Sequence, residues 1–276
     1  MNGRPKVRPR IILVCEDCEA EYEGFTFVGN FSRYCRDCNG KRLKLLEMEQ
    51  AEMREKSLEY RRYEWLSDSE RGIPRKFLGL NWENFRFDWG GGNNRNKVQQ
   101  LKEYAAGFPV KRMPFGAESL LITREVNGVG KTMLACLVLQ DIVHRFEETG
   151  REKCPFQFWP VGRVKHRLRA AERFGGAESV ADVYRDFATM WLLVLDDVGK
   201  EKLEGADAAF SYEMYYTIIN ERYNAQLPII LTSNLNFEPC SPQGLSLADL
   251  MGRAGVSRLM EMTRGTAYVI EGEDRR

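Results

Sequence analysis

The sequence predicts an α/β protein whose main domain has a mainly parallel sheet, preceded by a small four-cysteine module and a helical linker. Three observations carry this expectation. Apolar runs at residues 120–122, 191–195 and 228–231, with a further strand-like segment at 156–160, alternate with helix-like stretches. Strands buried on both faces read as such unbroken apolar runs, and their alternation with helices marks a parallel sheet. Two Cys-x-x-Cys pairs, Cys15/Cys18 and Cys35/Cys38, crowd the N-terminal end. Between these regions lies a charged stretch, residues 41–66, without glycine or proline.

The totals bound the function classes. The 276 residues suit one large domain, or a medium one with a small module. Lys plus Arg number 41 against 40 Asp plus Glu, so only local basic clusters can point to nucleic acid. No apolar run approaches the roughly 20 residues of a membrane span. The N-terminus is basic and broken by Pro5 and Pro9, and residues 11–14 are too short for a signal-peptide core. The expectation is a soluble, cytoplasmic protein with no membrane partner.

The cysteine pairs are separated by sixteen residues, inside the C-x2-C-x15–20-C-x2-C zinc pattern. Two intervening residues let a tight turn aim both sulfurs at one point, and two such turns complete a tetrahedral thiolate site. Phe25, Phe27, Val28 and Phe31 between the pairs suffice for a short hairpin. Two disulfides or an iron site are the alternatives. An intracellular chain disfavours disulfides, and zinc on Cys15, Cys18, Cys35 and Cys38 gives a small module the staple its core lacks. Cys136, Cys154, Cys240, His144 and His166 stand singly and read as core or incidental.

Residues 41–66 read as a long, mostly exposed helix. Leu43, Leu45, Leu46, Met48, Met53 and Leu58 form only an irregular apolar stripe. It is a spacer or a partner-binding arm, and a module at its end favours the arm. Ser67, Asp68, Gly72 and Pro74 end it. The expected boundaries are 1–40 for the zinc module, 41–72 for the linker and 73–276 for the α/β domain.

Within that domain, a soft glycine loop at residues 90–94 precedes a helix over 96–108. The strand at 120–122 then leads through a loop to Gly130-Lys131-Thr132 and an apolar helix reaching about residue 146. Strand, loop, Gly-Lys-Thr and helix is the layout of a phosphate-binding P-loop. Asn127, Gly128, Val129 and Gly130 offer backbone N–H groups, Lys131 reaches the terminal phosphates, and Thr132 ligates magnesium. The G-x-x-x-x-G-K-[ST] pattern departs at its first glycine, where this chain has Glu125. That carboxylate either repels the nucleotide or points to solvent.

A strand at 156–160, a basic helix over 161–174 and a helix over 179–189 come next. The run Trp191 to Leu195 then feeds Asp196 and Asp197, a Walker B pattern. At the C-terminal end of a parallel strand, Asp196 sits where it can hold magnesium and Asp197 where it can orient or deprotonate water. A helix over 206–225 precedes a third strand that ends at Thr232, Ser233 and Asn234. Asn234 is placed to bond the attacking water or the γ-phosphate. The tail reads as a helix bearing Arg253 and Arg258, then a strand over 266–270.

From residue 73 to 276 these segments, in this order, resemble the AAA+ ATPases of the bacterial helicase-loader group, the DnaC and DnaI type, with the transposition helper IstB as close kin. The carrying motifs are Ile73-Pro-Arg-Lys-Phe77 with Trp82-Glu-Asn-Phe85, Gly128-Val-Gly-Lys-Thr132, Leu195-Asp-Asp-Val-Gly-Lys-Glu201, Ile218-Ile-Asn-Glu-Arg-Tyr223, Leu231-Thr-Ser-Asn234, Ser257-Arg-Leu259 and Gly272-Glu-Asp-Arg275. The four-cysteine module looks like the DnaI-type arrangement, in which such an adaptor contacts the replicative helicase. The resemblance implies an AAA+ P-loop fold using ATP, Mg2+ and Zn2+. It implies Asn234 as sensor 1, Arg258 as an arginine finger acting on a neighbouring subunit (Arg253 the alternative) and Arg275 as sensor 2. A guanidinium supplied in trans would tie hydrolysis to a homo-oligomer.

In this family the helical insertion before Walker B helps bind single-stranded DNA. The matching stretch carries Arg163, Lys165, Arg167 and Arg169, which suit a phosphate backbone, although a charge run is also the ordinary look of a solvated face. Phe158, Trp159 and Phe174 beside it either stack bases or belong to the core. A second departure is Asp197, where many AAA+ proteins carry glutamate. The implied function is ATP-dependent loading of a hexameric replicative helicase onto single-stranded DNA. The alternatives are an IstB-like transposition helper and a nucleotide-responsive binding protein that does not hydrolyse ATP.

Overall fold

A computed structural model describes residues 11–24, 26–27, 30–85, 91–124, 130–147, 154–173, 178–200, 205–238 and 245–271. The chain divides into two compact units, Met1–Tyr60 and Arg61–Arg276. The division falls inside one 32-residue helix, α1 (Arg36–Ser67).

In the first unit, β1 (Ile12–Val14) pairs antiparallel with β2 (Glu21–Glu23), and β3 (Thr26–Phe27) pairs antiparallel with β4 (Asn30–Phe31). The hairpin expected between the cysteine pairs is therefore present; Phe25 and Val28 lie outside the described residues. A tight turn carries the first pair: Glu19 N–H donates to Cys15 O at 2.9 Å and takes a φ of 57°. The second pair differs from a free-standing turn, because α1 begins at Arg36 and takes Cys38 into its first turns. Leu45, Leu46, Met48 and Met53 are exposed along α1, as an irregular apolar stripe predicts.

The second unit is a three-layer α/β/α domain. Its sheet runs β6 (Phe156–Pro160), β7 (Leu192–Val198), β8 (Ile229–Ser233), β5 (Leu120–Thr123), β9 (Tyr268–Val269), and every described pairing is parallel. Successive strand residues point to opposite faces. Leu120, Ile122, Leu192, Val194 and Ile230 join one core with Leu101 of α2 (Gly91–Gly107) and Leu134 and Leu137 of α3 (Lys131–His144). Leu121, Leu193, Leu195, Ile229 and Leu231 join the opposite core. There they meet Val164 of α4 (Val161–Ala171), Phe187 of α5 (Val180–Thr189), Tyr215 of α6 (Gly205–Asn224) and Leu250 of α7 (Leu247–Met262). Both faces are covered, which is why the strands are mainly apolar up to their C-terminal tips.

One expectation changes here, and one open alternative closes. The glycine-rich stretch after residue 90 is not a loop: α2 starts at Gly91. Asn94 anchors that first turn, donating to Glu271 O at 2.6 Å and accepting from Glu271 N–H at 2.9 Å. A partner this distant in sequence outweighs weak local helix propensity. Phe158 and Trp159 are not base-stacking platforms but core, buried on opposite faces of the sheet; Phe174 lies outside the described residues.

Glycine is required once in α7. Gly252 breaks the helix at φ 73°, and a Cβ there would meet Tyr212 Oη at 2.7 Å. Among the described residues, no helix is long and apolar enough to cross a membrane.

Candidate nucleotide site

The site forms where β5, β7 and β8 end side by side. Gly130 caps α3 with a left-handed φ of 95°, a conformation open to a residue without Cβ. Lys131 follows as the first helical residue; it is 7% exposed, and its Nζ donates to Arg124 O, just past β5, at 3.3 Å. Thr132, half-buried, lies at the start of α3, and its hydroxyl helps to favour the ionised form of the Asp196 carboxylate. Asn127, Gly128, Val129 and Glu125 lie outside the described residues.

Asp196 is 5% exposed at the tip of β7. Burial raises its carboxyl above the usual carboxylate range, against hydrogen bonds from Thr232 and Thr132 that favour the ionised form. Thr232 Oγ1, on β8, donates to Asp196 Oδ1 at 2.6 Å and accepts the Asp197 N–H at 3.0 Å. Between Leu195 and Val198, β7 has one more residue than β8 has between Leu231 and Ser233. This bulge puts Asp197 at φ 63°. The Asp197 carboxylate accepts from Lys200 Nζ at 3.0 Å. Asn234 follows directly after β8, half-buried beside the same tips.

A buried carboxylate near a helix-start hydroxyl, beside a helix N-terminus that opens with lysine, fits a magnesium-bound nucleoside triphosphate. The helix end and Lys131 suit the phosphates. Thr132 and Asp196 present adjacent oxygens, the donor type that magnesium takes. Sequence reasoning assigned Thr232 no role. The available signal was a polar side chain in a strand buried on both faces, which must find a hydrogen-bond partner.

Arg258 lies on α7, its guanidinium 5.4 Å from the Tyr216 ring centre and 5.8 Å from that of Tyr223, both on α6. It also donates to Ala254 O at 3.3 Å. Arg253 is exposed on the same helix. Arg275 lies outside the described residues.

The basic face of α4 is largely engaged within the domain. Arg167 makes a two-pronged contact with Glu178, both bonds at 2.8 Å, and a third with Asp186 at 2.7 Å. Its guanidinium also lies 5.3 Å from the ring centres of Trp159 and Phe187. Arg169 pairs with Asp207, Lys165 donates to Ser211 Oγ at 2.6 Å, and Arg163 donates to Glu70 O at 3.2 Å. These partners neutralise Arg167 and Arg169 locally, so the helix offers less free charge than its sequence suggests.

In the first unit the sulfurs of Cys15, Cys18, Cys35 and Cys38 all lie within 4.8 Å of one another. Cys18 and Cys35 Sγ are 3.8 Å apart. A tetrahedron with metal–sulfur bonds of about 2.3 Å has edges of about 3.8 Å. Cys35 N–H points at Cys15 Sγ at 3.3 Å. Burial raises the Cys15 thiol, but backbone N–H groups of Cys35, Cys18 and Asp17 outweigh it and bring it down to about 6. Cys38 is pushed up to about 12, first by its bond with Cys35 and then by Cys18. Four sulfurs this close resist becoming four thiolates together unless a cation compensates them.

A family profile described as IstB-like ATP binding protein matches residues 84–259. No curated protein sequence matches the chain. Among solved structures, the DnaC helicase loader superposes with a TM-score of 0.55 at 23% identity, over 72% of this chain and 100% of that one. A putative primosome component from Streptococcus pyogenes serotype M3 superposes with a TM-score of 0.51 at 15% identity, over 74% and 92% of the two chains. AMPPCP-bound DnaA from Aquifex aeolicus gives 0.50 at 21% identity, over 72% of this chain and 51% of that one. These likenesses are of fold, an α/β domain built on a parallel sheet. The family match spans well over half of the sequence and takes in the whole described site, so the chain belongs to the IstB-like ATP-binding protein family.

Proposed function

We propose that the protein hydrolyses ATP to load a hexameric replicative helicase onto single-stranded DNA. The observation that carries this reading is the presence, in one chain, of the Lys131–Thr132–Asp196 cluster and a separate four-cysteine unit. The likeness to the DnaC helicase loader supports it. In this reading the α3 N-terminus and Lys131 hold the phosphates, and Thr132 and Asp196 hold magnesium, which neutralises charge on the triphosphate. Asp197 and Asn234 orient the attacking water. Arg258 from a neighbouring subunit, with Arg275, stabilises charge on the transferring phosphoryl group. Arg163 and Lys165 carry the DNA contact on α4, while Arg167 serves the fold. Zinc on the four cysteines shapes the first unit as the helicase adaptor.

The test is capture of the host's replicative helicase by the full-length chain, with and without ATP, followed by loading on single-stranded DNA. Capture is expected to be lost in Cys15→Ser/Cys35→Ser. Equal capture by that variant would remove the adaptor role. ATP turnover is expected to disappear in Lys131→Ala. A native chain no faster than this variant, even with DNA present, would make the protein a nucleotide-responsive binder without hydrolysis. The IstB-like family match favours a second reading, a transposition helper acting with a transposase. Preference for duplex over single-stranded DNA, with no helicase capture, would select it.

A further inference from the structure

We propose that Thr232 is a positioning residue of the nucleotide site, setting the Asp196 side chain and the Asp197 backbone together. The proposal rests on the reading of these two aspartates as the groups that hold magnesium and orient water. A threonine hydroxyl has one proton to give and lone pairs to receive. Thr232 uses both: its O–H donates to Asp196 Oδ1 at 2.6 Å, and its oxygen accepts the Asp197 N–H at 3.0 Å. The side chain is 1% exposed, so water does not stand in for either bond. With donor and acceptor directions both fixed, the hydroxyl has one orientation.

The bulge explains why such a residue is needed. In a regular strand Asp196 and Asp197 would point to opposite faces of the sheet. The extra residue in β7 and the left-handed Asp197 break that alternation and re-aim the second carboxylate. The same irregularity takes the Asp197 N–H out of the regular ladder, and the Thr232 hydroxyl receives it. Ser233 Oγ repairs the next step, donating to Val198 O at 2.8 Å. Two successive hydroxyls of β8 thus bond the β7 backbone at and just past the bulge. Thr232 stands two residues before Asn234, so the strand that delivers Asn234 also aims both aspartates. A shift of the β8 tip would move all three groups as one.

The experiment compares full-length native protein, Thr232→Val and Thr232→Ser. Valine keeps the branched shape and loses both hydrogen bonds; serine keeps the hydroxyl. Affinity for a fluorescent ATP analogue is measured in EDTA and in magnesium, alongside ATP turnover and thermal melting. In Thr232→Val, the gain in affinity that magnesium brings is expected to fall about tenfold or more, the scale of a hydrogen bond to a charged group. Its affinity in EDTA should stay within about twofold, because the phosphate-gripping groups are untouched. Thr232→Ser should keep the magnesium gain within about threefold, since it retains the charged hydrogen bond. A native-like gain in Thr232→Val overturns the proposal. So does a serine variant as impaired as the valine one, which would mean that shape and not the hydroxyl matters. A native chain with no magnesium gain overturns it too. Absence of turnover in the native chain would sink the hydrolysis reading alone, and the binding arm would still decide the role of Thr232. If the valine chain does not fold, Thr232→Ala takes its place in the same comparison.

Discussion

Arg222 donates to Phe187 O at 2.6 Å from a side chain that is 0% exposed. It also donates to Pro228 O, so one guanidinium ties the end of α5 to the start of β8. Burial pulls the guanidinium down to about 9, which leaves it charged at neutral pH. Arg222→Met removes the donors and leaves two buried carbonyls without these partners. Urea unfolding should show a loss of about 2–4 kcal/mol, the cost of stranding such groups. Equal stability of the variant would mean that Met fills the space and the carbonyls find water.

Arg167 and Arg163 lie on the same helix but should fail in different ways. Arg167→Met breaks a three-bond contact with Glu178 and Asp186 and should destabilise the domain by about 1–3 kcal/mol. Arg163→Ala/Lys165→Ala should leave the melting temperature near native and weaken single-stranded DNA binding. If each residue meets one phosphate, the log–log salt slope should become shallower by about 1.4. Unchanged DNA binding in the double variant would end the role of α4 as a DNA contact.

The same ion pair gives a pH dependence. The Arg167 bond holds the Glu178 carboxyl below its ordinary range in the folded chain. A carboxylate depressed on folding contributes stability that is present above its unfolded value and lost as pH falls through its lower folded value. The stability gap between native protein and Glu178→Gln should therefore be largest near neutrality and close on acidification. Because Glu178 is partly exposed, the gap should be small and should shrink with salt. A gap that persists in acid would assign the effect to shape and not to charge.

What could be read from the sequence was what local pattern determines. The strands ending at Thr123, Val198 and Ser233 announced themselves because both their faces are buried. Gly130-Lys131-Thr132 marked the start of α3, and the cysteine spacing marked the sulfur cluster. What escaped depends on partners distant in the chain. Asn94 is helical because it bonds Glu271. Arg167 is structural because Glu178 and Asp186, eleven and nineteen residues further on, meet it. The bulge at Asp197 is a count of one strand against another, which neither strand carries alone.

The sulfur cluster predicts one zinc per chain in the purified full-length protein, read by elemental analysis. Cys18→Ser should lower that occupancy and loosen the first unit, because so small a unit draws its folding energy from the metal. Chelation should likewise release zinc and increase proteolysis within residues 11–60. Melting of the α/β unit should change little, since its two cores need no metal. Iron in place of zinc would correct the metal. No metal, with Cys18→Ser as protease-resistant as the native chain, would remove the structural role.

Arg258 is held over Tyr216 and Tyr223, which leaves its guanidinium oriented by α6 and not by its own flexible stem. If it acts on ATP bound by a neighbouring subunit, Arg258→Ala should lower turnover by about 10³-fold, the usual lower scale for such a group. Affinity for ATP should be nearly unchanged, because the residue serves a different subunit's site. Mixing settles the direction. In Lys131→Ala and Arg258→Ala together, some interfaces pair an intact Lys131 site with an intact Arg258, so activity should exceed that of either variant alone. A mixture no more active than its parts, from a chain that does assemble, would place Arg258 in its own subunit's chemistry or in packing alone.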